Sequence, residues 1–184
     1  PRGGVVIGYV IAKKLHAKLD VIIARKIGVP GNPELAVAAV AEDGEVAVEE
    51  DVATLYRGSY EYIEREAKKE TEEIKKRIEK FREGRDLTDI SGKEVIVVDD
   101  GLATGTTMVA ALKTLKKRKP ERLIAAAPVA SREAIIKVRS IADEAVVLSV
   151  PEEFFAIGEF YRDFSQVSDE EVIQYLSSLR REDH

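Results

Sequence analysis

The sequence predicts an α/β fold: a parallel sheet flanked by helices. Two observations carry that prediction. Short apolar segments alternate with helical patterns. Asp20–Ala24, Val95–Val98, Leu123–Ala127 and Ala145–Val150 read as strands, and Met108, Leu112 and Leu115 have the i, i+4, i+7 spacing of a helix between two of them. Helix starts are also marked. Ser131 reads as an N-cap, and Ser168-Asp-Glu-Glu171 is a capping box ahead of Val172, Leu176 and Leu179.

The remaining elements follow in chain order. The chain opens on Pro-Arg-Gly-Gly without a Met. It reads as entering mid-motif, with a further piece expected before it. The apolar run Val5–Ala12 is short, leads into Lys13-Lys14 and has no small-residue cleavage site, so it is not a signal peptide. Ala36–Ala41 and Glu45–Val48 flank Glu42-Asp43-Gly44, a hairpin turn. A long charged segment, roughly Val52 to Glu83 and closed by Gly84, carries a narrow apolar stripe of Ile63, Ala67, Ile74, Ile78 and Phe81. Two readings of it stay open: an arm across a dimer, or a solvated surface helix. There is no internal repeat or low-complexity stretch. The expected organisation is one domain over 1–184, with a helical insertion at 49–90 and a C-terminal segment at 151–184.

Composition narrows the function. The 184 residues are 45% hydrophobic and 34% charged, which describes a globular chain with a sizeable core. No apolar run is long enough to span a bilayer. Cysteine is absent, which excludes disulfides and thiolate metal sites and leads to the expectation of a reducing cytoplasm. With only His16 and His184, histidine-based zinc sites and serine-type triads are nearly excluded. A net charge of −5 argues against a nucleic-acid surface, so basic contacts to a phosphorylated ligand must be local. One Asn and two Gln among abundant Lys, Arg, Asp and Glu fit a thermophile.

The stretch that carries chemistry is VIVVDDGLATGTTM, residues 95–108. Ligands of open α/β sheets bind outside the carboxyl ends of the strands, where Asp99 and Asp100 stand. Carboxylates there can accept hydrogen bonds from a sugar diol or hold a divalent cation. Gly105 permits close backbone approach, and Thr104, Thr106 and Thr107 offer hydroxyls. The helix that follows favours an anion at its N-terminus. A sugar phosphate satisfies both halves. The competing motifs fit less well. Gly105 is followed by Thr106 rather than Lys, so this is not a P-loop, and there is no G-x-G-x-x-G. Phospho-accepting receiver domains need a further Asp and Lys at later strand ends, which read Pro128-Val129-Ala130 and Ser149-Val150-Pro151.

VIVVDDGLATGTT resembles the phosphoribosylpyrophosphate-binding signature of type I phosphoribosyltransferases, with Gly101 where an aliphatic residue is usual. The resemblance covers nearly the full chain and implies the type I fold with a C-terminal hood. It places Asp99 and Asp100 at the ribose hydroxyls and at Mg²⁺, and Ala103, Thr104, Gly105, Thr106 and Thr107 around the 5′-phosphate. PRGGVVIG, residues 1–8, resembles the family's pyrophosphate loop, with Arg2, Gly3 and Gly4 as contacts. The strand that precedes that loop in the family does not lie within this sequence. Arg25-Lys26 matches a pyrophosphate-contacting position at the end of the next strand, and Gly28-Val-Pro-Gly-Asn-Pro33 lies where the family has a mobile lid. VPEEFFAIGEFYRDF is similar to the hood of hypoxanthine–guanine enzymes, which puts Phe154 on the base with Phe155 and Ala156 beside it.

The resemblance has departures. Ala103 stands where hypoxanthine–guanine enzymes carry an Asp base, and no Lys near Val129 matches their reader of the purine oxygen. Ala-Thr-Gly is closer to adenine and uracil enzymes, and Glu34 is the candidate lid acid/base. The acceptor is therefore left as a small nitrogenous base. A cytoplasmic homodimer that binds neither nucleic acid nor membrane is expected. The rival reading is a non-catalytic regulator of the same fold that senses nucleotides or phosphoribosylpyrophosphate.

Overall fold

The computed structural model describes residues 1–182. Helix α1 (Gly3–Leu15) is followed by strands β1 (Ala24–Val29), β2 (Asn32–Ala41) and β3 (Val46–Val48), then helices α2 (Glu50–Ala53) and α3 (Ser59–Arg82). Strand β4 (Glu94–Val98), helix α4 (Thr106–Lys116), strand β5 (Arg122–Val129), helix α5 (Arg132–Arg139) and strand β6 (Glu144–Ser149) come next. A 3₁₀ turn (Ile157–Phe160) and helix α6 (Asp169–Glu182) complete the order.

The predicted parallel sheet is β4-β5-β6, with Val98 opposite Ala126 and Ala126 opposite Val146. Leu123, Ala125, Ala127 and Val129 alternate onto its buried face, the first three against Met108, Leu112 and Leu115 of α4. The caps act as predicted. Ala134 N donates to Ser131 Oγ at 3.0 Å, and Ser168 N and Glu171 N exchange side-chain bonds with Glu171 and Ser168.

The second sheet, β1-β2-β3, is antiparallel and contains the predicted hairpin. Gly44 takes φ +85° in its turn, and Ala41 N donates to Glu45 O at 2.9 Å. Helix α4 lies against both sheets. Its Ala110 meets Ala39, Ala41 and Ala47 through small side chains that allow close approach, while its leucines fill the other core.

Two expectations are corrected. The strand at Asp20–Ala24 is not formed, since strand pairing begins only at Ala24. Val21 and Ile23 are buried all the same, so the apolar run recorded burial without a ladder partner. Arg25 and Lys26 consequently sit at the start of a strand rather than at its end. The charged segment is not one helix, because Gly58 at φ +76° separates α2 from α3. The stripe of α3 packs into this chain's own core: Ile63, Ala67, Ile74 and Phe81 are buried with Val37, Val40, Val172 and Leu176. No helix among the described residues is long and apolar enough to cross a membrane.

Candidate functional site

The β4–β5 ladder carries the chain to the acid pair, and Asp99 N still bonds Ala126 O at 3.2 Å. The chain then bulges outward and returns at Leu102, whose N donates to Val129 O at 2.9 Å while its carbonyl accepts from Ser131 N at 2.9 Å. Asp99, Asp100 and Gly101 thus form a short crest at the sheet's carboxyl end. Asp100 N donates to Asp99 Oδ1 at 2.9 Å. Loss of solvent raises both carboxyls above their usual range. Asp100 reaches about 6, with the Asp99 charge adding to the effect.

Helix α1 begins directly against this crest. A Cβ on Gly3 would lie 2.1 Å from Asp100 Oδ2, and one on Gly4 would lie 2.8 Å from Val98 O and 2.9 Å from Asp99 Cα. The Gly-Gly pair is therefore what lets the helix approach the acids, and the expected pyrophosphate loop is already helical from Gly3. Arg2 pairs with Asp169 at the start of α6, 3.7 Å away.

The hood closes over the same crest. A Cβ on Gly101 would meet Ile157 Cγ2 at 2.6 Å, so the departure at this position is the mate of a hood side chain. Tyr161 Oη donates to Asp100 O at 2.6 Å. Burial and the nearby Asp100 and Asp99 charges raise the phenol's pKa, which keeps it protonated as a donor. Phe154 is half-buried and its ring lies tilted against that of Phe160, centroids 5.3 Å apart at 30°. Phe155 is 78% exposed, and Ala156 is extended with its carbonyl accepting from Glu159 N at 3.3 Å.

Ala103 and Thr104 are exposed, followed by Gly105 at φ +79° as the N-cap of α4. Gly105 packs on Ala134, and Ser131 Oγ donates to Ala103 O at 2.6 Å, so α5 braces the loop. Thr104 and Thr106 hydroxyls lie 2.8 Å apart. Thr106 also donates to the buried carboxylate of Glu49, which pairs in turn with Lys137 of α5. Because Thr106 gives its proton to Glu49, Thr104 is the donor in that pair, and the Thr107 hydroxyl with the N–H groups that follow Thr106 is left to meet an anion. In crystals grown with phosphate, an ordered phosphate is expected within hydrogen-bonding reach of Thr104–Thr107. Well-defined phosphate elsewhere with nothing at this loop would refute the assignment.

Arg25, Lys26 and Glu34, the other pyrophosphate and acid/base candidates, meet partners within the chain. Arg25 is bonded to Glu70 of α3. Lys26 is 3.8 Å from Glu34 Oε2 and donates to its carbonyl at 3.3 Å. Glu34 is 91% exposed at the base of the β1–β2 tip. That tip is the expected lid, and Tyr62 of α3 ties it down by donating to Gly28 O at 2.9 Å. Glu49 and Lys137 escaped the sequence reading, while Ile157 and Tyr161 lay in the expected hood segment VPEEFFAIGEFYRDF without a role of their own.

Known proteins bear on this geometry. The family model described as "Phosphoribosyl transferase domain" matches residues 1–164. The chain is 39% identical over 185 residues to a Mycobacterium tuberculosis protein named provisionally as a phosphoribosyl transferase. That match covers 99% of this chain and 41% of the relative, so the chain spans about two-fifths of its length. A uracil phosphoribosyltransferase from Mycoplasma genitalium is 44% identical over 52 residues, 28% of this chain and 25% of that protein. The crystal structure of TT1426 from Thermus thermophilus superposes with a TM-score of 0.77 at 42% identity, covering 97% of this chain and 85% of that one. The acid crest, the threonine loop at a helix N-terminus and the family match agree: this chain belongs to the phosphoribosyl transferase domain family and has the type I phosphoribosyltransferase fold.

Proposed function

We propose that the chain transfers the 5-phosphoribosyl group from phosphoribosylpyrophosphate to a nitrogenous base. The observation that carries this reading is the acid crest, set between the N-terminus of α1 and the threonine loop that opens α4. In the reaction, the bond from ribose C1 to the pyrophosphate oxygen breaks and a bond from C1 to a ring nitrogen forms. The nitrogen's proton leaves, and pyrophosphate departs with the bonding pair. Asp99 and Asp100 orient the ribose diol, while Thr107 and the α4 N-terminus fix the 5′-phosphate.

Mg²⁺ suits these residues. Among those described, no cluster of three or more acids or histidines could hold a metal by protein ligands alone, so a hard cation would share Asp99 and Asp100 with substrate oxygens. When bound, it would neutralise charge on the leaving pyrophosphate. Charge on the two acids favours it.

One observation favours the regulator as a second reading. Arg25 and Lys26 are engaged by Glu70 and Glu34 rather than presented to a ligand. A screen of free bases with phosphoribosylpyrophosphate and Mg²⁺, followed by pyrophosphate release, separates the two. Turnover with any base supports the transferase. Binding of phosphoribosylpyrophosphate without turnover on any base supports the regulator.

Phe154 tests the acceptor side. Its ring and that of Phe160 offer an apolar face to a planar heterocycle, while selectivity falls to main chain near Phe155–Ala156 and to a lid residue. Phe154→Ala should raise the acceptor KM and leave phosphoribosylpyrophosphate affinity nearly unchanged. Unfolding without a separate effect on acceptor binding would make Phe154 a packing residue.

A further inference from the structure

Beneath the threonine loop, three separate elements bring an ion pair to one buried hydroxyl. Glu49 is 7% exposed and Thr106 is 3% exposed. Glu49 lies at the joint between β3 and α2, where its N donates to Val37 O of β2 at 2.8 Å. One of its carboxylate oxygens accepts from Thr106 Oγ of α4, and the other accepts from Lys137 Nζ of α5. Lys137 also donates to Glu133 at 2.6 Å. Burial works against the charge on Lys137, but the bonds to Glu133 and Glu49 outweigh it. They hold its pKa above the ordinary value, so the ammonium stays charged. No step of the proposed transfer uses this pair.

Paired with an ammonium, Glu49 is a carboxylate, which can only accept hydrogen bonds. It therefore takes the Thr106 proton. Thr106 Oγ is left to accept from Thr104 Oγ at 2.8 Å, and Thr104 Oγ accepts in turn from Thr106 N at 3.4 Å. One carboxylate thus fixes two hydroxyl rotors, and residues 104–106 satisfy one another. Helix α4 has no side-chain cap at Gly105, so the N–H groups beyond Thr106 stay open to an anion. The arrangement buries one negative charge beneath a place for another. Lys137 offsets that charge.

We infer that Glu49 is a positioning residue: balanced by Lys137, it sets the proton directions of Thr106 and Thr104 and so prepares the loop for the donor's 5′-phosphate. The inference rests on the transferase reading of that loop. Calorimetric titration of the intact protein with ribose 5-phosphate tests it. Lys137→Gln leaves the Glu49 charge without its counterion and should weaken binding about tenfold. Lys137→Arg should keep the wild-type affinity. Glu49→Gln added to Lys137→Gln should restore most of the loss, because the neutral pair still accepts from Thr106 without a buried charge. A merely structural brace would lose more with the second substitution, not less. Thr106→Val and Thr106→Ser form a second arm that leaves the ion pair in place and does not depend on the folding of Lys137→Gln. Val should weaken binding roughly fivefold and Ser should not, since only Ser carries the proton. Lys137→Gln at wild-type affinity, a double variant no tighter than the single, or Thr106→Val equal to Thr106→Ser would overturn the inference and leave the transferase reading intact. Wild type that binds no ribose 5-phosphate would overturn both.

Discussion

Asp99→Asn with Asp100→Asn is expected to weaken phosphoribosylpyrophosphate binding at least about tenfold, because each carboxylate offers charge-assisted acceptors that an amide cannot replace. The same change should stabilise the metal-free protein at pH 7. Asp100 has its pKa raised from 3.8 to about 6 by burial and by Asp99, so its proton is held more tightly in the folded chain than in the unfolded one. Such a group stabilises the fold fully below the unfolded pKa, and that contribution is lost as pH rises through the folded pKa. In EDTA-treated wild type, this component should therefore lower Tm between about pH 4 and 6. A two-unit shift corresponds to ~3 kcal/mol at full burial. Solvent access to the half-buried Asp100 reduces this to ~1 kcal/mol. The double variant should gain about 2–4 °C at pH 7. Weaker donor binding together with a higher Tm marks acids kept for a ligand. Unchanged affinity by calorimetry would remove the ribose assignment, and a lower Tm would make the pair structural.

Gly101→Val should lift the hood. The first added carbon already falls 2.6 Å from Ile157 Cγ2, and the branched side chain needs more room still. Overpacking of this kind costs ~1–3 kcal/mol, and the strain is released where the hood can move. The Tyr161 bond to Asp100 O then lengthens from 2.6 Å, and the Phe154 ring, the proposed base platform, shifts relative to Asp99 and Asp100. Small misplacements of a reacting partner are costly, so the acceptor KM should rise about tenfold or more. Donor affinity should change less, since the threonine loop is braced by α5 rather than by the hood. Adding Ile157→Ala should restore much of the loss, because the two positions share one contact. If Gly101→Val leaves acceptor kinetics intact, the hood is not coupled to the crest through this contact.

How much of this was legible beforehand depended on the range of the interaction. The β4 crest and the loop after it are one continuous stretch, Val95 to Met108, whose residue types and spacing have only local meaning: apolar strand, acids at its end, glycine cap, helix. The caps at Ser131 and Ser168 and the turn at Gly44 were readable for the same reason. Failures came where a partner distant in sequence decides. Val21 and Ile23 look like strand residues because burial and strand share a pattern, yet a ladder needs a neighbour that the pattern does not name. The stripe of α3 announced a packed face but not which surface it covers, and that surface is this chain's own core.

The sequence by itself determined the acid crest, the threonine loop at the start of α4 and the family, because those follow from side-chain chemistry at fixed short spacing. Only the tertiary structure decided what surrounds them. It brought Gly3 and Gly4 against the acids, seated Ile157 on Gly101, hung Tyr161 on Asp100, and placed Glu49 and Lys137 beneath Thr106. It also gave Arg25 and Lys26 to Glu70 and Glu34. Each of these contacts except the last joins residues far apart in the chain, and even Lys26 reaches Glu34 only because a hairpin folds between them. A lone Glu, Lys or Tyr carries no local mark of the partner it will meet, since that meeting is fixed by how helices and sheets pack.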